Sequence, residues 1–175
     1  MQGAKRVVRN NMPKKKIIGI DVGGVILNFI PYLGTDKNFG GGNYLETPEV
    51  PDSIEFVKEL YETHDGNVYL VSKHKAGGPN RILEWLHHRD FFNRTGMPES
   101  HFYPCKERHE KAPIIKSLGI THFVDDRAEI LESIIDIVPN LYWFQALGEN
   151  KEDYKQVSSN FTFVENWNEL MPLIK

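Results

Sequence analysis

Short apolar runs recur along the chain, each bounded by a turn signal. Ile17–Ile20 is rich in β-branched residues and lies between a lysine cluster and Gly23-Gly24; its length and flanks predict a buried strand. Val68–Val71 follows Asp65-Gly66-Asn67 and predicts a second. His122–Val124 follows Leu118-Gly119, Leu141–Phe144 follows Pro139-Asn140, and Phe161–Val164 makes a fifth run. Phe102-Tyr103 starts one more, short, strand.

Helical spacing fills the intervals. Pro51-Asp52-Ser53 opens a helix with Ile54, Val57, Leu60 and Tyr61 on one face, and Glu55 is available to cap it. Pro79 suits a first helical position ahead of Ile82, Leu83, Trp85 and Leu86. Ile114, Ile115 and Leu118 predict a short helix, and Ile130, Leu131, Ile134, Ile135 and Val138 a clearer one. Trp167 to Ile174 predicts a terminal helix interrupted by Pro172. Strands alternating with helices imply βαβ units, hence an α/β fold built on a Rossmann-like, doubly wound parallel sheet. Trp85 and Trp143 fall in apolar runs and are expected in its core.

Two segments fit neither period. Residues 28–50 are rich in glycine (Gly34, Gly40, Gly41, Gly42) and aromatics (Phe29, Tyr32, Phe39, Tyr44); long loops of this kind are often functional. Residues 1–16 carry Lys5, Arg6, Arg9, Lys14, Lys15 and Lys16 without an acid, and no apolar stretch follows. A disordered basic leader is expected there rather than a secretory signal. Residues 17–175 then form a single domain.

The chain has 175 residues and a net charge of −3, which makes no case for nucleic acid or an anionic membrane. Cys105 is the single cysteine, so an internal disulfide is excluded. A cytoplasmic location is the matching expectation. Seven histidines are present, but His87-His88 and His101 to His109 lack a zinc-ligand spacing.

In a parallel sheet, ligands bind at the carboxyl ends of strands. Asp21 follows the first run, Ser72 then Lys73 and His74 follow the second, and Asp125-Asp126 follow the third. Lys111 starts the helix leading into that third run. Carboxylates suit Mg²⁺, which also takes phosphate oxygens as ligands, and a lysine with a serine hydroxyl can hold phosphoryl oxygens. Each residue alone reads more readily as a turn former or helix cap, Asp125-Asp126 for a helix starting near Glu129 included; it is their joint occurrence at the strand ends that points to a site. Arg81, Arg89, Arg94, Lys106, Arg108 and Lys111 put positive charge around the second half of the site, which could steer a phosphorylated substrate, but acids such as Glu84, Asp90, Glu107 and Glu110 are interleaved, and a solvated mixed-charge surface is the expectation.

In this arrangement the chain resembles the haloacid dehalogenase superfamily of phosphohydrolases. That family's first motif is an apolar strand followed by Asp-x-Asp-x-(Thr/Val), which reads here Ile17-Ile18-Gly19-Ile20-Asp21-Val22-Gly23-Gly24-Val25. The second is Ser72 after Val68-Tyr69-Leu70-Val71, the third is Lys111, with Lys106 as fallback, and the fourth is Phe123-Val124-Asp125-Asp126-Arg127. The stretch from Lys111 to Arg127 is similar to the 5′(3′)-deoxyribonucleotidase and small magnesium-dependent phosphatase branches. Residues 28–50 stand where the family inserts a cap, here minimal, which implies an open site.

The resemblance implies a Mg²⁺-dependent phosphohydrolase acting on a small phosphorylated substrate, a phosphomonoester or nucleotide. Asp21 would be the nucleophile, forming an aspartyl-phosphate. Asp21, Asp125, the carbonyl of Gly23, and Asp126 directly or through water would hold the metal. Ser72, Lys73 and Lys111 would bind the phosphoryl group. The chain departs from the family at Gly23, where a second aspartate usually protonates the leaving group. Losing such a group costs about 10²- to 10⁴-fold in rate. His74 or Lys73 could supply the proton, the leaving group could need none, or the chain could bind a phosphorylated ligand or partner with little turnover.

Overall fold

The computed structural model describes residues 15–32, 39, 43–74, 80–145, 149, 151–154, 156 and 158–175. Six strands form one sheet: β1 (Ile18–Ile20), β2 (Val68–Lys73), β3 (Phe102–Cys105), β4 (His122–Asp125), β5 (Asn140–Phe144) and β6 (Thr162–Val164). Every pairing is parallel and the spatial order is β3-β2-β1-β4-β5-β6. The chain therefore winds outward to β3, returns to the centre, and winds outward again on the other side. This is the doubly wound α/β architecture expected from the alternation, with its topological switch point between β1 and β4.

Among the described residues there are six α-helices: α1 (Ser53–Thr63), α2 (Arg81–His88), α3 (Phe91–Thr95), α4 (Lys111–Leu118), α5 (Ala128–Ser133) and α6 (Trp167–Ile174). The strands alternate in which face they feed. Ile18, Ile20, Leu70, Val124, Tyr142 and Phe144 pack into one core with Val57 and Leu60 of α1, Trp85 of α2 and Trp167 of α6. Val71, Phe123, Leu141 and Trp143 pack into a second core with Ile115 of α4 and Leu131 of α5. Gly19 stands where β1 meets the second core; a Cβ there would lie 2.6 Å from the Phe123 ring and 2.7 Å from Ile120. Only glycine lets Phe123 close that gap.

Several local expectations change in three dimensions. Glu55 does not cap α1; it pairs with Arg94, and the N-cap is Asp52 in the left-handed region (φ 60°) with no side-chain cap bond. Neither Asp125 nor Asp126 caps α5, whose N-cap is Arg127; the amide of Ala128 donates instead to Glu149. Pro172 does not interrupt α6, which runs through it, since a proline deletes one backbone bond without forbidding a helix that packing holds. The clearer helix predicted from Ile130 to Val138 ends at Ser133 and continues as turns. Pro79 and the loop glycines 34 and 40–42 lie outside the described residues, as do residues 1–14. Lys16 donates to the carbonyls of Ile174 and Lys175, both at 2.6 Å, and so clips β1 to the end of α6. No described helix is long and apolar enough to cross a membrane.

Candidate active site

The switch point sets Asp21 and Asp125 side by side. The register pairs Ile20 with Val124, and the Asp21 amide donates to the Val124 carbonyl at 2.9 Å. Asp21 is thereby fixed as the first residue beyond β1, while Asp125 is the last residue of β4. Trp143 in neighbouring β5 donates its indole N–H to the Asp126 carbonyl (3.1 Å) and secures the turn after β4. Trp167 does the same for the turn after β1, donating to the Val25 carbonyl at 2.9 Å.

Lys111 reaches these carboxylates from α4. Glu107 and Glu110 form a reciprocal capping box on the short 3-10 turn Arg108–Glu110, which sets where α4 begins. Lys111, the first residue of α4, is 3% exposed. Its Nζ donates to Asp125 Oδ2 at 2.7 Å and lies 3.0 Å from Asp21 Oδ1. The alternative lysine, Lys106, is exposed, and its amide is bonded to Glu110. Ser72 and Lys73 line the same cleft, within β2 rather than beyond it, because β2 extends alongside β3 to Cys105.

Asp21, Asp125 and Asp126 each bring a carboxylate oxygen to within 4.8 Å of the other two, and all three are buried. Like charges this close are costly in a low-dielectric environment. Burial and the neighbouring Asp21 charge push the Asp125 carboxyl above its ordinary range, although Lys111 opposes them. Burial, then Asp125 and Asp21, push Asp126 well up. Burial alone would favour a neutral Lys111; Asp125 and Asp21 outweigh it and hold the ammonium charged. Lys111, with Arg127 3.7 Å from Asp126, sets two cations against three carboxylates and leaves the acidic cluster short of positive charge. Asp21 Oδ1, though close to Lys111, accepts no properly directed hydrogen bond from the described residues. A set of hard oxygens short of positive charge fits a divalent cation such as Mg²⁺. Gly24 is part of this fit: it has φ 77°, and a Cβ there would lie 2.4 Å from Asp126 Oδ2.

The cleft has a volume of about 150 Å³, and Asp21, Gly23, Ser72 and Lys111 are among its lining residues. Of the proton donors considered from sequence, Lys73 lines it and His74 does not. Phe29 and Arg127 also line it without a role assigned from sequence, and so does Arg108, read there as part of a mixed-charge surface. Phe29 answers what fills the space beside Gly23. A Cβ at position 23 would lie 2.8 Å from Phe29 Cε2 and 3.1 Å from Cζ. The aromatic richness of residues 28–50 was the available signal for Phe29; the contact itself depends on the tight turn from Val22 to Leu27, where Leu27 donates to the Val22 carbonyl at 2.9 Å.

No known protein-family profile matches the chain. Over 124 residues, 70% of its length, it is 24% identical to a protein of Oceanobacillus iheyensis named "Putative nucleotidase". The match covers 63% of that relative, so under two thirds of the relative's length is shared. The site is thus a buried carboxylate–lysine cluster at the switch point of a doubly wound sheet, in a chain similar to a protein with that name.

Proposed function

We propose that the chain is a cytoplasmic, Mg²⁺-dependent phosphohydrolase that removes a phosphoryl group from a small phosphorylated substrate, a phosphomonoester or nucleotide. One observation carries this reading. The Lys111 ammonium is buried between Asp21 and Asp125, with Asp126 beside them, at the sheet edge where ligands bind. The similarity to a nucleotidase by name supports the same class, as does the resemblance to haloacid dehalogenase motifs.

A carboxylate oxygen of Asp21 attacks phosphorus and the bond to the leaving group breaks, giving an aspartyl-phosphate that water then hydrolyses. Lys111 and Ser72 hold the non-bridging oxygens, with Lys73 nearby on the cleft wall. Asp21, Asp125, Asp126 and the Gly23 carbonyl would hold Mg²⁺, which when bound neutralises the charge of the meeting anions. Asp21→Asn is expected to abolish Mg²⁺-dependent turnover of 4-nitrophenyl phosphate; an unchanged rate refutes the assignment. A second reading, a phosphate-binding protein of low turnover, is favoured by Phe29 occupying the space beside Gly23. It predicts no turnover across a broad phosphoester panel while phosphate still raises the melting temperature.

A further inference from the structure

Two independent features of the cleft bear on the leaving group. The first is the lack, among the described lining residues, of an imidazole or of a carboxylic acid outside the acidic cluster to protonate a leaving group; Lys73, the lining residue considered as a donor, is paired with Glu107 at 3.6 Å. Position 23 has no side chain and the Phe29 ring fills the space beside it. Among the described residues that line the cleft there is no histidine, and its carboxylates, Asp21 and Asp126, belong to the acidic cluster. The Lys111 ammonium is held by Asp21 and Asp125. An alcohol leaving from such a site would depart as an alkoxide, a strong base whose conjugate acid is about as weak as water.

The second feature is charge. Lys73, Arg108 and Arg127 line the cleft, with side chains 40%, 48% and 40% exposed. Each faces an acid: Glu107 at 3.6 Å, Glu129 at 2.6 Å and Glu149 at 4.0 Å, with Arg127 also 3.7 Å from Asp126. Glu107, Glu129 and Glu149 are not among the lining residues, so these pairs turn their cationic ends to the cleft. The Lys73–Glu107 and Arg108–Glu129 pairs are exposed at both ends and hold weakly, so a phosphate can compete for these cations through charge-assisted bonds; Arg127 faces the buried Glu149 and Asp126.

We infer that the leaving group is itself a phosphate: the substrate is a phosphoanhydride, such as a nucleoside diphosphate or inorganic pyrophosphate, with Lys73, Arg108 and Arg127 receiving the departing phosphate. The inference rests on the phosphohydrolase reading above and names its substrate class. Asp21 oxygen bonds to the terminal phosphorus, the bridging P–O bond breaks, and its electron pair leaves on the departing phosphate. With a second pKa near 6, that group leaves as an anion at neutral pH and needs no donated proton. Cationic side chains stabilise the charge in place of an acid. Water then bonds to phosphorus, the bond to Asp21 breaks, and the water proton passes to the released phosphate or to solvent.

The test compares kcat/KM for ADP, pyrophosphate, AMP and 4-nitrophenyl phosphate in Mg²⁺. ADP or pyrophosphate is expected to exceed AMP by about 10²-fold or more, the typical worth of the missing acid. The variant Lys73→Ala/Arg108→Ala is expected to lower the anhydride-to-aryl-phosphate ratio by about tenfold or more. In parallel, pyrophosphate should raise the melting temperature of the wild-type protein more than orthophosphate at equal concentration, and the double variant should lose the difference. AMP turned over as well as ADP, or a ratio unchanged in the variant, overturns the anhydride assignment and leaves the phosphohydrolase reading standing. No turnover of any of the four overturns both.

Discussion

Placing a carboxylate at position 23 probes the contact between the turn after β1 and the Phe29 ring. If a missing acid were the only departure from an efficient phosphatase, Gly23→Asp alone would speed ester hydrolysis. The geometry opposes this, because the new Cβ would sit 2.8 Å and 3.1 Å from Phe29 ring carbons before any carboxylate is added. Overpacking of this kind costs about 1–3 kcal/mol. In a chain of this size that is a fall in melting temperature of roughly 2–12 °C. Phe29 must also move, and its ring packs edge-on to Phe39 at 5.9 Å, which packs edge-on to Tyr44 at 5.6 Å. Trimming the ring removes the conflict, so Phe29→Ala/Gly23→Asp should show a favourable coupling of about 0.5–3 kcal/mol relative to the single changes. Any gain in AMP hydrolysis, up to about 10²-fold, should appear in the double variant and not in Gly23→Asp. The assays are thermal denaturation of all four proteins and phosphate release from AMP. A Gly23→Asp protein that melts like wild type and hydrolyses AMP faster would refute the reasoning, since the ring would then yield freely.

Two further outcomes follow from buried charge. Lys111→Met leaves Asp21 and Asp125 buried without their shared cation, and is expected to cost about 3–5 kcal/mol in urea denaturation at pH 8, with the deficit shrinking toward pH 5 as Asp125, whose pKa burial pushes up to about 6, protonates; an equal deficit at both pH values would argue against the ion cluster. His122 has its pKa pushed down to about 4, chiefly by burial and then by Lys16 and His64. The unfolded chain therefore binds this proton first, and stability is lost as pH falls from about 6.5 toward 4, by up to about 3 kcal/mol. His122→Phe should flatten that part of the pH–stability curve, and an unchanged slope would refute the assignment.

The strands were legible in the chain because a buried parallel strand needs a short apolar run between turn signals, and β1, β2, β4 and β5 each have one. Asp21 and Asp125 were legible for the same reason: in such a sheet the residues ending adjacent strands must lie together. The capping-box glutamates that set the start of α4, and with it Lys111, are likewise local. Helix α3 (Phe91–Thr95) escaped because five residues carry no periodicity, and it is held by burial of Phe91 and by the αL residue Gly96.

The rest depended on contacts between residues far apart in sequence. Glu55 turned from a cap to an ion pair because α3 brings Arg94 to it. Phe29 read as one aromatic among several until the Val22–Leu27 turn laid its ring against Gly23. Arg108 read as part of a mixed-charge surface, since only the tertiary structure separates cations lining a cleft from acids behind them. By itself the sequence determined the alternation of elements, the doubly wound sheet and the carboxylates at its edge, because these follow from periodicity and turn chemistry within a few residues of each other. Tertiary structure alone decided what stands beside those carboxylates, because the side chains that fill and charge the cleft come from loops and helices whose meeting no local pattern encodes.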